Sequence, residues 1–221
     1  MMTVKLSPRL LAVAELVDTN GSVCDVGTDH ALLPCYLYQK GVKNIIASDI
    51  NDGPLVAARE TIEKYIGADC PIRLVKSDGL RSIDYADNVI VAGMGGELIA
   101  RIVSECSFLK PDISFILQPM TKAEILRKEL YKNGFRITDE KTAEEGEKLY
   151  VIIKAQYVGK SEEVSEAFSY TGLCKDKKYL EKQRKSLSRA AESCKDSAPD
   201  RSAVLSATAE EIEKIISEVC L

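Results

Sequence analysis

Apolar positions along this chain change their period twice. From Pro8 the residues Leu10, Val13, Ala14 and Val17 recur at helical spacing until Gly21, with Ser7 placed as N-cap and Pro8 at the first helical position. Short continuous apolar runs at 22–26, 44–48, 72–76, 88–92 and 113–117 then alternate with helical patterns at 31–40, 54–66, 95–106 and 122–133. Pro54 stands at a helix start, Thr121-x-x-Glu124 reads as a capping box, and Gly134 reads as a helix terminator. Strands that alternate with helices predict a parallel sheet. The alternation ends at 136–142 and 148–157, two strands joined through Glu144-Glu145-Gly146 with no helix between them.

Beyond about residue 160 the texture becomes charge-rich helix. Leu173, Leu180, Leu187 and Cys194 fall seven apart, and Leu205, Thr208, Ile212, Ile215 and Val219 step by three and four. Ser197-Ala198-Pro199 breaks the two runs, which predicts a helical hairpin of coiled-coil type. Residues 173–195 carry eight basic side chains against three acidic ones, and 199–221 two against five. That imbalance suits either a solvated face balanced by its partner helix or a handle for an RNA backbone. The division expected is 1–158 for the α/β unit and 159–221 for the helical tail.

Composition narrows the class without deciding it. The 221 residues are 45% apolar and 29% charged, enough for one domain with an appendage. A net charge of −4 gives no global basic footprint, so a nucleic-acid partner needs a local patch. No run of 18 apolar residues occurs and Met1–Leu6 lacks a signal-peptide core, so no membrane association and a cytoplasmic location are expected. Seven scattered cysteines (24, 35, 70, 106, 174, 194 and 220) with no C-x-x-C pair argue against a disulfide framework or a metal site.

The chemistry concentrates where strands end. Val23-Cys24-Asp25-Val26-Gly27-Thr28-Asp29-His30 runs from an apolar strand into an acidic turn, and Asp49 closes the next strand 22 positions after Gly27. A dinucleotide site needs G-x-G-x-x-G so that backbone N–H groups reach the pyrophosphate. Asp29 and Leu32 occupy the second and third glycine positions here. Carboxylates instead suit a cofactor with an ammonium, a sulfonium and no phosphate, namely S-adenosylmethionine. Asp25, Gly27 and Asp29 would line its methionine end, and Asp49 would accept from ribose hydroxyls unless it only caps a helix. Asp78, in Ser77-Asp78-Gly79-Leu80, would accept from the adenine amine unless it only makes a turn.

Val91-Ala92-Gly93-Met94-Gly95-Gly96 offers open backbone and room for a flat ring. Gln118-Pro119-Met120 ends the fifth strand, where its amide either meets a base edge or simply connects strand to helix. His30, the sole histidine, is open between a cofactor contact, a catalytic group and a first-turn helix residue. A parallel sheet closed by an antiparallel hairpin resembles the class I methyltransferase fold, a Rossmann-like α/β sheet.

The chain resembles the bacterial tRNA methyltransferases that act on N1 of adenine 22, the TrmK type. The matching residues are Leu6-Ser7-Pro8-Arg9-Leu10, Asp25-Val26-Gly27-Thr28-Asp29-His30, Ala47-Ser48-Asp49-Ile50, Ser77-Asp78-Gly79-Leu80, Ala92-Gly93-Met94-Gly95-Gly96 and Leu117-Gln118-Pro119. The resemblance implies methyl transfer from S-adenosylmethionine to a tRNA adenine. It places Asp25, Gly27, Thr28, Asp29, His30, Asp49, Ile50, Asp78, Gly79, Gly93 and Met94 at the cofactor. Arg9, Gly95, Gly96, Gln118, Pro119, Lys178, Lys182, Arg184 and Lys185 are expected on the tRNA side, and no metal. Asp29 is the catalytic candidate, because a carboxylate beside the reacting ring stabilises the cation that N1 methylation creates. A methyltransferase of a small molecule or protein, and a non-catalytic RNA-binding protein on the same fold, are the alternatives. Deletion of 160–221 is the expected way to separate them. The resemblance leaves the oligomeric state open, with a monomer favoured.

Overall fold

The computed structural model describes residues 2–219. Val23–Val26 (β1) is buried at all four positions, as a strand covered on both faces must be. It pairs in parallel with Ile45–Asp49 (β2) on one side and Asn88–Gly95 (β4) on the other. Arg73–Lys76 (β3) extends the sheet beyond β2, and Ser114–Thr121 (β5) beyond β4. The direction then reverses. Lys148–Tyr157 (β7) runs antiparallel to β5, and Phe135–Glu145 (β6) antiparallel to β7. The order is β3-β2-β1-β4-β5-β7-β6, the parallel sheet with a terminal hairpin that the sequence predicts.

Helices cover both faces. Pro8–Ala14 (α1), Leu32–Gln39 (α2) and Asp52–Tyr65 (α3) share one core, built on Val13, Leu37, Ile45 and Ile90. Gly96–Ser104 (α4) and Ala123–Lys132 (α5) share the other, built on Val91, Ile99, Phe115 and Leu126. Two local expectations fail. Helix α1 stops at Ala14, because the N–H groups of Leu16 and Val17 bond three residues back and tighten the last turn. No capping box opens α5: β5 stays paired through Thr121 opposite Gly95, and Lys122 takes the N-cap position in a left-handed conformation (φ 58°).

The tail comprises Glu166–Thr171 (α6), Lys177–Cys194 (α7) and Pro199–Val219 (α8). The hairpin forms, with Leu187, Ala191, Ala209 and Ile212 buried and the Ser202 hydroxyl donating to the Ala191 carbonyl at 2.8 Å. Leu173 sits outside it, exposed in the connection before α7. Asp176 sets the start of α7 by accepting from the Lys178 and Tyr179 N–H groups. Val219 closes α8 exposed. Cys24, Cys35, Cys70, Cys106, Cys174 and Cys194 are free thiols, and Cys220 lies outside the described residues. Among the described residues no helix is long and apolar enough to cross a membrane.

One buried cation joins tail to sheet. Arg127 on α5 is fully buried. Its Nε donates to Glu140 on β6 at 2.8 Å, Nη1 to the Ser169 and Tyr170 carbonyls at 2.8 and 3.0 Å, and Nη2 to the Tyr179 hydroxyl at 3.1 Å. Gly172 completes the arrangement, since a Cβ there would collide with the Glu140 carboxylate and the Arg127 guanidinium. Tyr179, Leu180 and Leu187 belong to the same apolar cluster as Phe115 and Leu126. Deleting 160–221 therefore strips a shared core and does not isolate the tail's role.

Arg127→Ala leaves the Glu140 carboxylate buried without its cation. It should cost about 3–5 kcal/mol in denaturant unfolding, whereas Arg127→Met with Glu140→Leu should recover most of the loss. A single-variant cost below about 1 kcal/mol would mean that the tail is held by apolar packing alone.

Candidate functional site

Side chains converge at the carboxyl ends of the central parallel strands, where an open α/β sheet has its crevice. A cleft of about 290 Å³ is lined by Arg9 and Leu10 from α1, Asp25, Gly27, Thr28, Asp29 and His30 after β1, Leu32 and Leu33 from α2, and Ala92 and Gly93 from β4. The turn after β1 is unusual backbone. Gly27 (φ 74°), Asp29 (φ 51°) and Ala31 (φ 51°) all have positive φ. Left-handed non-glycine residues cost on the order of 1 kcal/mol or more each and persist only where surroundings enforce them. Here the Gly27 and Thr28 N–H groups both donate to the Ser48 carbonyl, at 2.8 and 2.9 Å. Gly27 suits its positive φ, and the Met94 methyl fills the space a Cβ would take.

Asp25 lies on the cleft floor, buried, with the Thr28 hydroxyl donating to it at 2.7 Å. Desolvation pushes its carboxyl up to about 6, the Thr28 bond opposes that shift, and the nearby Asp49 charge adds to it. Asp29 and His30 are exposed at the mouth, His30 Nε2 lying 3.7 Å from an Asp29 oxygen. His30 precedes the helix, which starts at Leu32 after a left-handed Ala31, so it is not a first-turn residue. Asp49 is half-buried and accepts from the Asn51 N–H at 3.0 Å, and Asn51, not Asp49, is the N-cap of α3. Ile50 beside it is exposed.

Several expected positions have close structural partners. Asp78 pairs with Arg81 at 3.2 Å and Arg101 at 3.3 Å, and all three side chains stay partly exposed. Gly79 (φ 59°) packs against Ile102. Gly96 is buried against the Lys122 carbonyl, which a Cβ would strike, and Pro119 is a mostly buried residue of the β5 ladder that lines a second groove. Gly95 keeps space around it. Gln118, expected to meet a base edge, is fully buried with both amide ends engaged. Its Oε1 accepts from Arg9 Nη1 at 2.6 Å and the Gly93 N–H at 3.1 Å, and its Nε2 donates to the Pro119 carbonyl at 2.9 Å. Gln118 is thus the clamp that fixes Arg9, whose guanidinium also lies 5.7 Å from the Tyr150 ring centroid. Tyr150 reads as an ordinary strand residue in KLYVIIKAQY, and nothing in that pattern marks it.

The tail cations divide. Lys178, Lys182 and Lys185 share one face of α7 with Arg189. Lys178 pairs with Glu144 at 2.7 Å, Lys182 donates to the Leu149 carbonyl at 3.1 Å, and Lys185 lies 3.7 Å from Glu181. Arg184 turns towards α8 and pairs with Glu213. Among the described residues no group of three or more His, Cys, Asp or Glu side chains could hold a metal ion.

Residues 6–153 match the methyltransferase domain family. The tRNA (adenine(22)-N(1))-methyltransferase of Bacillus subtilis (strain 168) is 38% identical over 160 residues, 71% of this chain and 67% of that protein. The crystal structure of the B. subtilis M1A22 tRNA methyltransferase TrmK superposes with a TM-score of 0.78 at 30% identity, covering 98% of this chain and 99% of the other. The structure of M. capricolum TrmK in complex with S-adenosylhomocysteine does so with a TM-score of 0.77 at 26% identity, covering 97% of this chain and 99% of the other.

The Asp25 proton has a measurable consequence. The unfolded chain releases it near the ordinary 3.8 and the folded chain near 6, so the folded state binds more protons in between. Its contribution to stability therefore falls as pH rises from about 4 to about 6 and is level above. Asp25→Asn should remove that step and be more stable than wild type at pH 8 by on the order of 2 kcal/mol. Denaturant melts of both proteins at pH 5 and 8 measure the difference, and parallel profiles would count against a strained carboxylate here.

Proposed function

The chain belongs to the tRNA (adenine(22)-N(1))-methyltransferase family, within the wider methyltransferase domain family, and on that premise we propose that it methylates N1 of adenine 22 of tRNA with S-adenosylmethionine as donor. The observation that carries the reading is the cleft itself, with a buried carboxylate on its floor, a second at its mouth, and glycine turns that leave the backbone open. Such a donor set fits an ammonium and a sulfonium and would repel a pyrophosphate. Asp25 and the turn 27–30 would hold the methionine end, Asp49 and Ile50 the ribose and one base face, Gly79 the adenine edge, and Gly93 with Met94 the floor. When bound, S-adenosylmethionine supplies a methyl group already activated for in-line transfer.

The residues of this chain then act by position. Asp29 faces the incoming adenine and lowers the energy of the positive ring that forms, or accepts from its N6 amine. Gln118 holds Arg9 at the cleft so that its remaining N–H groups meet the RNA. The unit 1–158 carries this chemistry, and 159–221 supplies a basic face of Lys178, Lys182 and Lys185 for the tRNA backbone. The target base is stacked in a folded tRNA, so backbone contacts offset an opening cost of a few kcal/mol. The protein works where tRNA is processed, in the cytoplasm, and as a monomer.

Incubation with methyl-labelled S-adenosylmethionine and unmodified tRNA, followed by digestion to nucleosides, should give labelled 1-methyladenosine. Absence of label, with S-adenosylmethionine bound, would end the tRNA reading. Asp29→Asn should bind the donor normally and turn over at least about tenfold more slowly. Neutralising Lys178, Lys182 and Lys185 together should weaken tRNA binding and reduce the slope of log affinity against log salt by about two to three. Arg184→Gln should leave that slope unchanged, since Arg184 is committed to Glu213.

A further inference from the structure

A second groove of about 130 Å³ lies between the sheet and the tail, and the chemistry above makes no use of it. The end of β5, the start of α5, the start of β7, Tyr170 of α6 and the first turns of α7 form its walls. Two contacts place it beside the cleft. Tyr150 lines the groove, while Arg9, which lines the cleft, sits over the Tyr150 ring. Gln118, which holds Arg9, is followed along the same strand by Met120 in the groove wall. Any polymer that delivers one unit to the cleft passes this groove with a neighbouring unit.

The lining matches one class of neighbour. Tyr150 and Tyr170 are half-buried and Met120 is 40% exposed, so flat aromatic and polarisable surfaces reach solvent together. Bases stack on such surfaces whatever their identity. Lys122 and Lys182 bring positive charge to the same walls. Lys122 is tied to Glu97 at 2.7 Å, but that pair is exposed, and exposed pairs yield easily to a phosphate. Glu124 is the acidic member, close enough to Tyr170 that its charge helps raise the phenol's pKa. A carboxylate beside a stacking ring accepts from an exocyclic amine.

We propose that this groove is a nucleotide subsite that holds the base adjacent to the methylated adenine, with a preference for bases that carry an exocyclic amine. The inference rests on the tRNA reading and extends it. Stacking orders the neighbour and holds the strand open while the target adenine occupies the cleft, with Lys182 on the intervening phosphate.

The test is steady-state kinetics of the full-length protein on tRNA transcripts, intact or abasic at either neighbour of the target. Tyr170→Ala should raise the tRNA KM at least about fivefold, with kcat and donor affinity within about twofold of wild type. Tyr170→Phe should behave as wild type. One abasic transcript should raise the wild-type KM by a similar factor yet cost Tyr170→Ala nothing further, the non-additivity that a direct contact produces. Should Tyr170→Ala fail to bind the donor, as a misfolded protein would, the exposed variant Met120→Ala carries the same comparison. Unchanged KM in the folded variants, or additive penalties at both neighbours, would overturn the subsite and leave the methyltransferase reading intact. No methylation of tRNA by wild type would bring down both.

Discussion

The Arg127 guanidinium is desolvated from every side, and an isolated charge in that position would be untenable. Its survival requires four partners drawn from three elements outside its own helix: Glu140 on β6, the two carbonyls that end α6, and the Tyr179 hydroxyl on α7. The requirement works in both directions. Glu140, itself desolvated and pushed above the ordinary carboxylate range by burial, is drawn back by this guanidinium and by the N–H groups after Gly172. Removing either partner strands the other. Hydrogen-bond geometry therefore joins the shared apolar core in fixing how the tail sits on the sheet. The groove between sheet and tail inherits its width from the same interaction, because Tyr170 and Tyr179 are both in its wall.

At the carboxyl ends of the central strands the cleft is maintained at a cost. Three positive-φ residues within five positions and a carboxylate titrating near 6 are unfavourable for the folded chain alone. On the proposed reading each would serve a cationic ligand: the turn brings Asp25 and Asp29 to one cleft, and the desolvated Asp25 would gain a counter-charge. The Gln118 amide gives the same logic a structural form. A residue at the end of β5 could have reached solvent, and it instead turns inward to organise Arg9 and the Gly93 backbone.

Much of this architecture was legible in the order of apolar runs. Seven strands, their alternation with helices, and the terminal hairpin follow from periodicity, which records burial directly. The acidic turn and Asp49 were legible because their residue types depart from what a phosphate site needs. What escaped was whatever depends on contacts between distant segments. Arg127 sits in A-E-I-L-R-K-E-L-Y-K, where it reads as one more solvated charge, and its burial is decided by residues 13 to 52 positions away. Gln118 and Tyr150 escaped for the same reason. Thr121 misled because a strand ladder competed with a local cap for the same backbone and won.

The connections of Arg127 also have an order in time. Its carboxylate partner follows 13 residues later in the chain, but the α6 carbonyls follow only after 42 and 43, and the Tyr179 hydroxyl after 52. At synthesis rates of roughly 5–20 residues per second, the sheet of a nascent chain waits several seconds for the groups that complete it. Through that interval the Arg127 guanidinium lacks three of its four partners. The helical tail is, in this sense, the last reagent of the folding reaction, and the growing chain is most vulnerable just before it arrives.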